Sequence, residues 1–313
     1  MSLRFHSKTY MFLAITTVVL YILYTKFSKP AKQENNEGIQ EINKQESKTK
    51  VSVPRNKIVV AVVACGVRLN ETLTMIKSAV MFTQATLQII VVTEENLIDG
   101  FHKILTEWKN IAQVSFDFKI LPLTFPKENT EEWQKLFKPC ASQRLFLPSV
   151  LHDVDSILYV DTDTLFLTPP EKIWEHFYKM NSSQMAALAP EHEDPNVGWY
   201  NRFARHPYYG KLDKLFIYPC RFNFRPDHCM YMSICKSAEK DGAAVLHGSR
   251  GFFHSDKQPA FKIIYNAFEK FQLGGDPYSN FYEDLAAELN ATTHTNCGLV
   301  KDIFLKSIRQ SLP

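Results

Sequence analysis

Asp161-Thr162-Asp163 is the triplet in this chain with the clearest chemical meaning. It directly follows the apolar run Ser156–Val160 (SILYV) and precedes Leu165-Phe166-Leu167. The pattern predicts a strand that delivers both acids at its tip. In an extended segment, residues two apart share a face, so Asp161 and Asp163 project together and Thr162 turns away. Two adjacent carboxylates repel unless a cation sits between them. A divalent ion with oxygen ligands resolves the repulsion and can grip a diphosphate, stabilising the charge that builds on it as it departs.

A third ligand would strengthen the pair. Ala243-Ala244-Val245 predicts a short buried strand, which places His247 at a strand end, and Gly248 beside it allows close backbone approach to phosphates. His254 competes for the same role. Lys257, in Lys257-Gln258-Pro259, offers a cation to the same diphosphate. The sequence names no nucleophile and no general base.

The elements that must position these residues follow from periodicity. Lys57–Ala64 (KIVVAVVA) is a continuous β-branched run of the kind buried on both faces of a sheet, ended by Cys65-Gly66. Helical spacing covers Glu71–Phe82. Leu87–Thr93, Ser115–Leu121 and Met185–Ala189 read as further strands, and Ile98–Trp108 as a helix. Glu131–Leu147 is helical but must break at Pro139. Strand alternating with helix predicts an α/β fold with a mainly parallel sheet, whose ligands bind beyond the carboxyl ends of the strands. No Gly-x-Gly-x-x-Gly follows the first strand, so a dinucleotide reading lacks support.

The N-terminal region has a different composition. Residues 1–9 form a short tail carrying Arg4 and Lys8. Residues 10–27 hold the uncharged run Tyr10–Tyr24, read as an uncleaved transmembrane signal anchor because no small-residue cleavage site follows. Residues 28–55 are rich in Lys, Glu, Gln and Asn and predict a flexible stem. Residues 56–313 then form the lumenal globular domain.

Six cysteines are present. Cys220, Cys229, Cys235 and Cys297 read as a disulfide framework with three pairings open, whereas Cys65 and Cys140 read as standing alone. Sequons at Asn70, Asn181 and Asn290 agree with a lumenal location. A net charge of +3 is too small for a nucleic-acid-binding face, and the 23 phenylalanines point to an aromatic core.

A family resemblance covers essentially everything after the stem. Cys65-Gly66, Phe137-Lys138-Pro139-Cys140-Ala141, Gln143-Arg144-Leu145-Phe146-Leu147-Pro148 and Leu158-Tyr159-Val160-Asp161-Thr162-Asp163 resemble the glucoside xylosyltransferases. Further matches are Ala189-Pro190-Glu191-His192-Glu193, Arg202-Phe203-Ala204-Arg205-His206-Pro207, Arg225-Pro226-Asp227-His228-Cys229, Leu246-His247-Gly248 and Asp256-Lys257-Gln258-Pro259. The resemblance implies a retaining, family 8 enzyme of GT-A fold that transfers xylose from UDP-xylose in α1,3 linkage. The acceptor it implies is O-linked glucose on EGF-like repeats, as on Notch receptors. It further implies Mn2+ held by Asp161, Asp163 and His247. The donor would lie against Ala64, Cys65, Gly66, Arg144, Thr162, Gly248 and Lys257, the acceptor near Trp199–His206, and the enzyme in the ER or Golgi membrane. In that family several tens of residues, with an Asn-Ser-Gly and a Gly-Asp-Gln-Asp motif, follow the Arg-Phe-Ala-Arg-His-Pro segment. Neither motif occurs in this chain, which predicts an internal deletion near 210–214 and, as an alternative, a shortened form that binds UDP or acceptor without turnover.

Overall fold

A computed structural model describes residues 57–111, 116–136, 139–190, 193, 214–230 and 235–312. The expected tail, anchor and stem, the Trp199–His206 stretch and the junction at 210–213 lie outside the described residues. Among the described residues no helix is long and apolar enough to cross a membrane.

Four parallel strands form the central sheet: β1 (Lys57–Ala64), β2 (Thr86–Thr93), β3 (Phe116–Pro122) and β4 (Leu158–Val160), in the order β3-β2-β1-β4. The continuous apolar run of β1 is buried from Ile58 to Ala64, as a strand covered on both faces requires. Helices α1 (Leu69–Phe82) and α2 (Glu95–Ile111) make the first two crossovers. The chain builds outward from β1 through β2 to β3, then returns to place β4 on the other side of β1. The strand order therefore reverses between β1 and β4, the point where open α/β sheets bind ligands at their carboxyl ends.

The long interrupted helix resolves into short pieces: α3 (Thr130–Leu136), α4 (Pro139–Gln143), a tight turn at Arg144–Phe146, and α5 (Leu147–Val150). Pro139 starts α4, where its missing N–H costs nothing. After β4 come β5 (Thr164–Phe166) and α6 (Glu171–Trp174), then β6 (Ala186–Leu188), which pairs in parallel with β7 (Leu215–Ile217). The short helices α7 (Asp227–Met230) and α8 (Lys236–Asp241) lead to β8 (Val245–His247). This last strand runs antiparallel to β5 and pairs His247 with Thr164. The chain closes with α9 (Pro259–Lys270), α10 (Glu283–Asn290), α11 (Asn296–Leu299) and α12 (Asp302–Ser311).

Two apolar clusters result. One lies around the parallel sheet and includes Met75, Ile76, Phe101 and Leu105; the other lies around α9 and is built on Phe224, Phe253, Phe261, Phe268, Phe281 and Phe304. The aromatic core expected from composition is thus present. Buried Lys77 of α1 links the two regions by donating hydrogen bonds of 2.8 Å to the carbonyls of Glu269 and Phe271 at the end of α9. Burial lowers its pKa, and the charge of Glu269 opposes that shift.

The cysteine framework needs one correction. Cys220 pairs with Cys235 and Cys229 with Cys297, which selects one of the three arrangements the sequence left open. Cys65 and Cys140 do not stand alone; they form a third disulfide with Cα atoms 6.1 Å apart. A separation of 75 residues hid the pair from any local pattern. It joins the loop after β1 to α4, the element that leads into Arg144.

Candidate metal centre

The loop after β4 brings the two acids together in a way the sequence only half describes. Asp161-Thr162-Asp163 is a turn between β4 and β5, not an extended strand tip. The carboxylates nonetheless converge. His247 Nε2 lies 3.3 Å from Asp163 Oδ1 and 3.8 Å from Asp161 Oδ2. One ligand atom from each of the three residues falls within 4.8 Å of the other two. The β5–β8 pairing achieves this, because it sets His247 opposite Thr164, and the Gly248 N–H donates to the Asp163 carbonyl at 2.8 Å.

The side chains remain reachable, at 33% exposure for Asp161, 19% for Asp163 and 17% for His247. Burial opposes ionisation of Asp163, but the hydrogen bond and charge of His247 outweigh it and hold the carboxyl below its ordinary pKa. Tyr159 donates its hydroxyl to Asp161 Oδ1 at 3.0 Å. Its pKa is pushed upward, first by burial and then by the charge of Asp161, so the phenol stays a neutral donor. Arg144, expected as a donor residue, reaches the same oxygen at 3.5 Å with its guanidinium 5.4 Å from the centre of the Tyr159 ring, so it lies beside the cluster.

Two residues that sequence reasoning passed over complete the arrangement. Asn223 Oδ1 lies 2.9 Å from His247 Nδ1. An amide oxygen only accepts, so Nδ1 carries a proton and Nε2 is the nitrogen that faces the carboxylates. Glu71, in the first turn of α1, accepts from the Thr162 hydroxyl at 3.0 Å.

Two carboxylates and an imidazole nitrogen facing one point form a mixed oxygen and nitrogen donor set that suits a divalent cation. A second grouping, Glu193 with Cys220 and Cys235, does not, because both sulfurs are in a disulfide and Glu193 accepts from Ser237 N–H at 2.8 Å and Ser237 hydroxyl at 2.6 Å.

The other expected donor residues are placed as follows. Ala64 is buried at the end of β1, with its carbonyl taken by the Thr93 hydroxyl at 2.8 Å. Gly66, at φ 62°, is exposed and donates to Glu94 at 2.7 Å. An open cleft of about 460 Å³ lies beside this contact, lined by Glu94, Glu95, Asn96, Pro122 and Leu123. It excludes the carboxylate–imidazole cluster, so the cluster's own geometry defines the site. Lys257 is exposed in the turn before α9. His254, the competitor of His247, bonds Glu71 at 3.0 Å and takes no part in the cluster.

Gly248 serves a packing need. A Cβ there would meet the ring of buried Phe253 at 2.4 to 2.7 Å. Gly248→Ala is therefore expected to cost about 1–3 kcal/mol through overpacking. It should also weaken any divalent-cation binding at the cluster, because the same residue's N–H holds the Asp163 carbonyl. Thermal unfolding with and without Mn2+ measures both effects.

No protein-family model matches the chain. Human glucoside xylosyltransferase 1 is 42% identical over 320 aligned positions, covering 83% of this chain and 72% of the relative. Mouse glucoside xylosyltransferase 2 is 40% identical over 320 positions, with the same two coverages. The crystal structure of mouse xyloside xylosyltransferase 1, apo form, aligns loosely, with a TM-score of 0.41 at 12% identity over 62% of this chain and 98% of that one. By descent, then, the α/β fold with its strand-end cluster is that of a glycosyltransferase. The chain belongs to the glucoside xylosyltransferase family. At 83% coverage of 313 residues the chain supplies about 260 of the 320 aligned positions, so roughly 60 positions of the human relative have no counterpart in it.

Proposed function

We propose that this protein is a UDP-xylose:glucoside α1,3-xylosyltransferase of GT-A type. It acts with retention on glucose O-linked to EGF-like repeats of the Notch kind. The observation that carries the reading is the convergence of Asp161, Asp163 and His247 at the switch point of the parallel sheet, in a chain about 40% identical to glucoside xylosyltransferases. Those three residues would hold Mn2+, which when bound supplies Lewis acidity to the departing UDP. Arg144 and Tyr159 engage Asp161 Oδ1, while His247 lies nearer Oδ2. The backbone at Ala64, Cys65 and Gly66 would border the nucleoside, Thr162 and Gly248 would shape the floor, and Lys257 would meet the diphosphate. No nucleophile is assigned. Three disulfides favour an oxidising lumen and support residence in the ER or Golgi behind an N-terminal type II anchor at 10–27.

The test is transfer of xylose from UDP-xylose to an O-glucosylated EGF repeat, with and without Mn2+. Transfer that survives complete chelation would overturn the metal assignment, and a different donor preference would overturn the xylose assignment. The expected alternative, a shortened form that binds UDP without turnover, is the second reading the assay must exclude. Calorimetry with UDP and Mn2+ separates the two readings, since binding heat without product supports only the second.

A further inference from the structure

Glu71 is a buried carboxylate whose partners come from three separate loops. Its side chain is 7% exposed. Arg68, in the loop after β1, pairs with Oε1. Thr162, from the turn between β4 and β5, donates to the same oxygen at 3.0 Å, and His254 Nε2, from the turn Ser249–His254 after β8, meets Oε2 at 3.0 Å. These loops are the ones that carry Cys65-Gly66, the paired acids, and His247-Gly248. An acid in the first turn of a helix is favourable against the helix dipole, and an exposed pair with Arg68 would satisfy that preference. That preference does not explain why this acid is buried against the residue between two metal-facing acids.

We infer that Glu71 is a positioning residue: by holding the Thr162 hydroxyl it fixes the Asp161-Thr162-Asp163 turn so that both carboxylates face His247, and so sets the affinity for a divalent cation. The inference rests on the metal reading proposed above. The physical basis is that partners lying behind metal ligands orient them, and losing one typically costs ten- to hundredfold in affinity. Glu71 acts through backbone geometry, since Thr162 shares its two peptide bonds with Asp161 and Asp163. With Oε2 engaged by His254, it also ties the turn after His247 to the same anchor.

The test is Mn2+ titration of the full chain, followed by the electron paramagnetic resonance signal of free and bound ion, for wild type, Thr162→Val and Glu71→Gln. Both variants are expected to bind about ten- to hundredfold more weakly, with an altered line shape for bound Mn2+. Thr162→Val keeps Glu71 paired with Arg68 and His254, so it decides the matter even if Glu71→Gln does not fold. Unchanged affinity and line shape in folded Thr162→Val, beside a wild type that binds, would overturn the role of Glu71 alone. A wild type that binds no Mn2+ would overturn the metal reading and this inference together.

Discussion

Replacing Asp161 and Asp163 together by asparagine is expected to weaken Mn2+ binding by more than about a hundredfold. That exceeds the ten- to hundredfold loss that follows from removing a partner behind a ligand. The substitution keeps side-chain shape and removes both charges, leaving His247 as the single strong donor of the cluster. Mn2+-dependent sugar transfer should fall with it. Metal-free stability should move little, because two effects offset. Relief of repulsion between the acids stabilises the variant, while loss of the Asp163–His247 contact destabilises it. The second effect has a defined pH window. Asp163 is ionised more readily in the folded chain, so its contribution is present above the ordinary carboxyl pKa of about 4 and disappears as pH falls through its lower folded value. Melting curves from neutral to acid pH on apo wild type and variant measure it. A metal-free variant that unfolds far below the wild type would show the acids to be structural instead.

Removing the Cys229–Cys297 disulfide by paired alanines is expected to cost about 4 kcal/mol by the chain-entropy estimate for a loop of 68 residues. Both sulfurs lie in the phenylalanine-rich cluster, and the bond ties α7 to α11. A loss of that size is a large part of a typical stability of about 5–15 kcal/mol and should lower the melting temperature by roughly 10 °C. The Cys220–Cys235 bond closes only 15 residues and should cost about 3 kcal/mol. Calorimetry of the two double variants, each with the other bonds intact, gives the order. Equal melting temperatures for wild type and the Cys229→Ala, Cys297→Ala protein would refute the estimate.

How much of this was legible beforehand depended on whether the controlling contact was local. β1 was placed residue for residue, because KIVVAVVA has no polar interruption and ends at a glycine with left-handed backbone. The paired acids and His247 were found because each directly follows or ends an apolar run. Their backbone was misjudged: the Thr164 hydroxyl bonds back to the Asp161 carbonyl at 2.9 Å and closes a turn, which no pattern of apolar residues encodes. The Cys65–Cys140 bond, Asn223 behind His247, and Glu71 beneath Thr162 are contacts between residues 24 to 91 positions apart. For Glu71 a signal did exist, since an acid in the first helical turn after β1 must sit near the switch point. Asn223 gave none.

The pairing of β8 with β5 bears on the order of events during synthesis. The parallel sheet and both acids are encoded by the residues up to Asp163, but the imidazole arrives more than eighty residues later, on a strand whose partner β5 directly follows the acids. A nascent chain on the ribosome therefore holds the carboxylate pair without the imidazole for several seconds at ordinary elongation rates. If the proposed site holds a cation, its capture would be a late step, reached only by chains translated past His247. A premature stop between Asp163 and His247 would yield a chain that has both acids and lacks the imidazole of the proposed ion site.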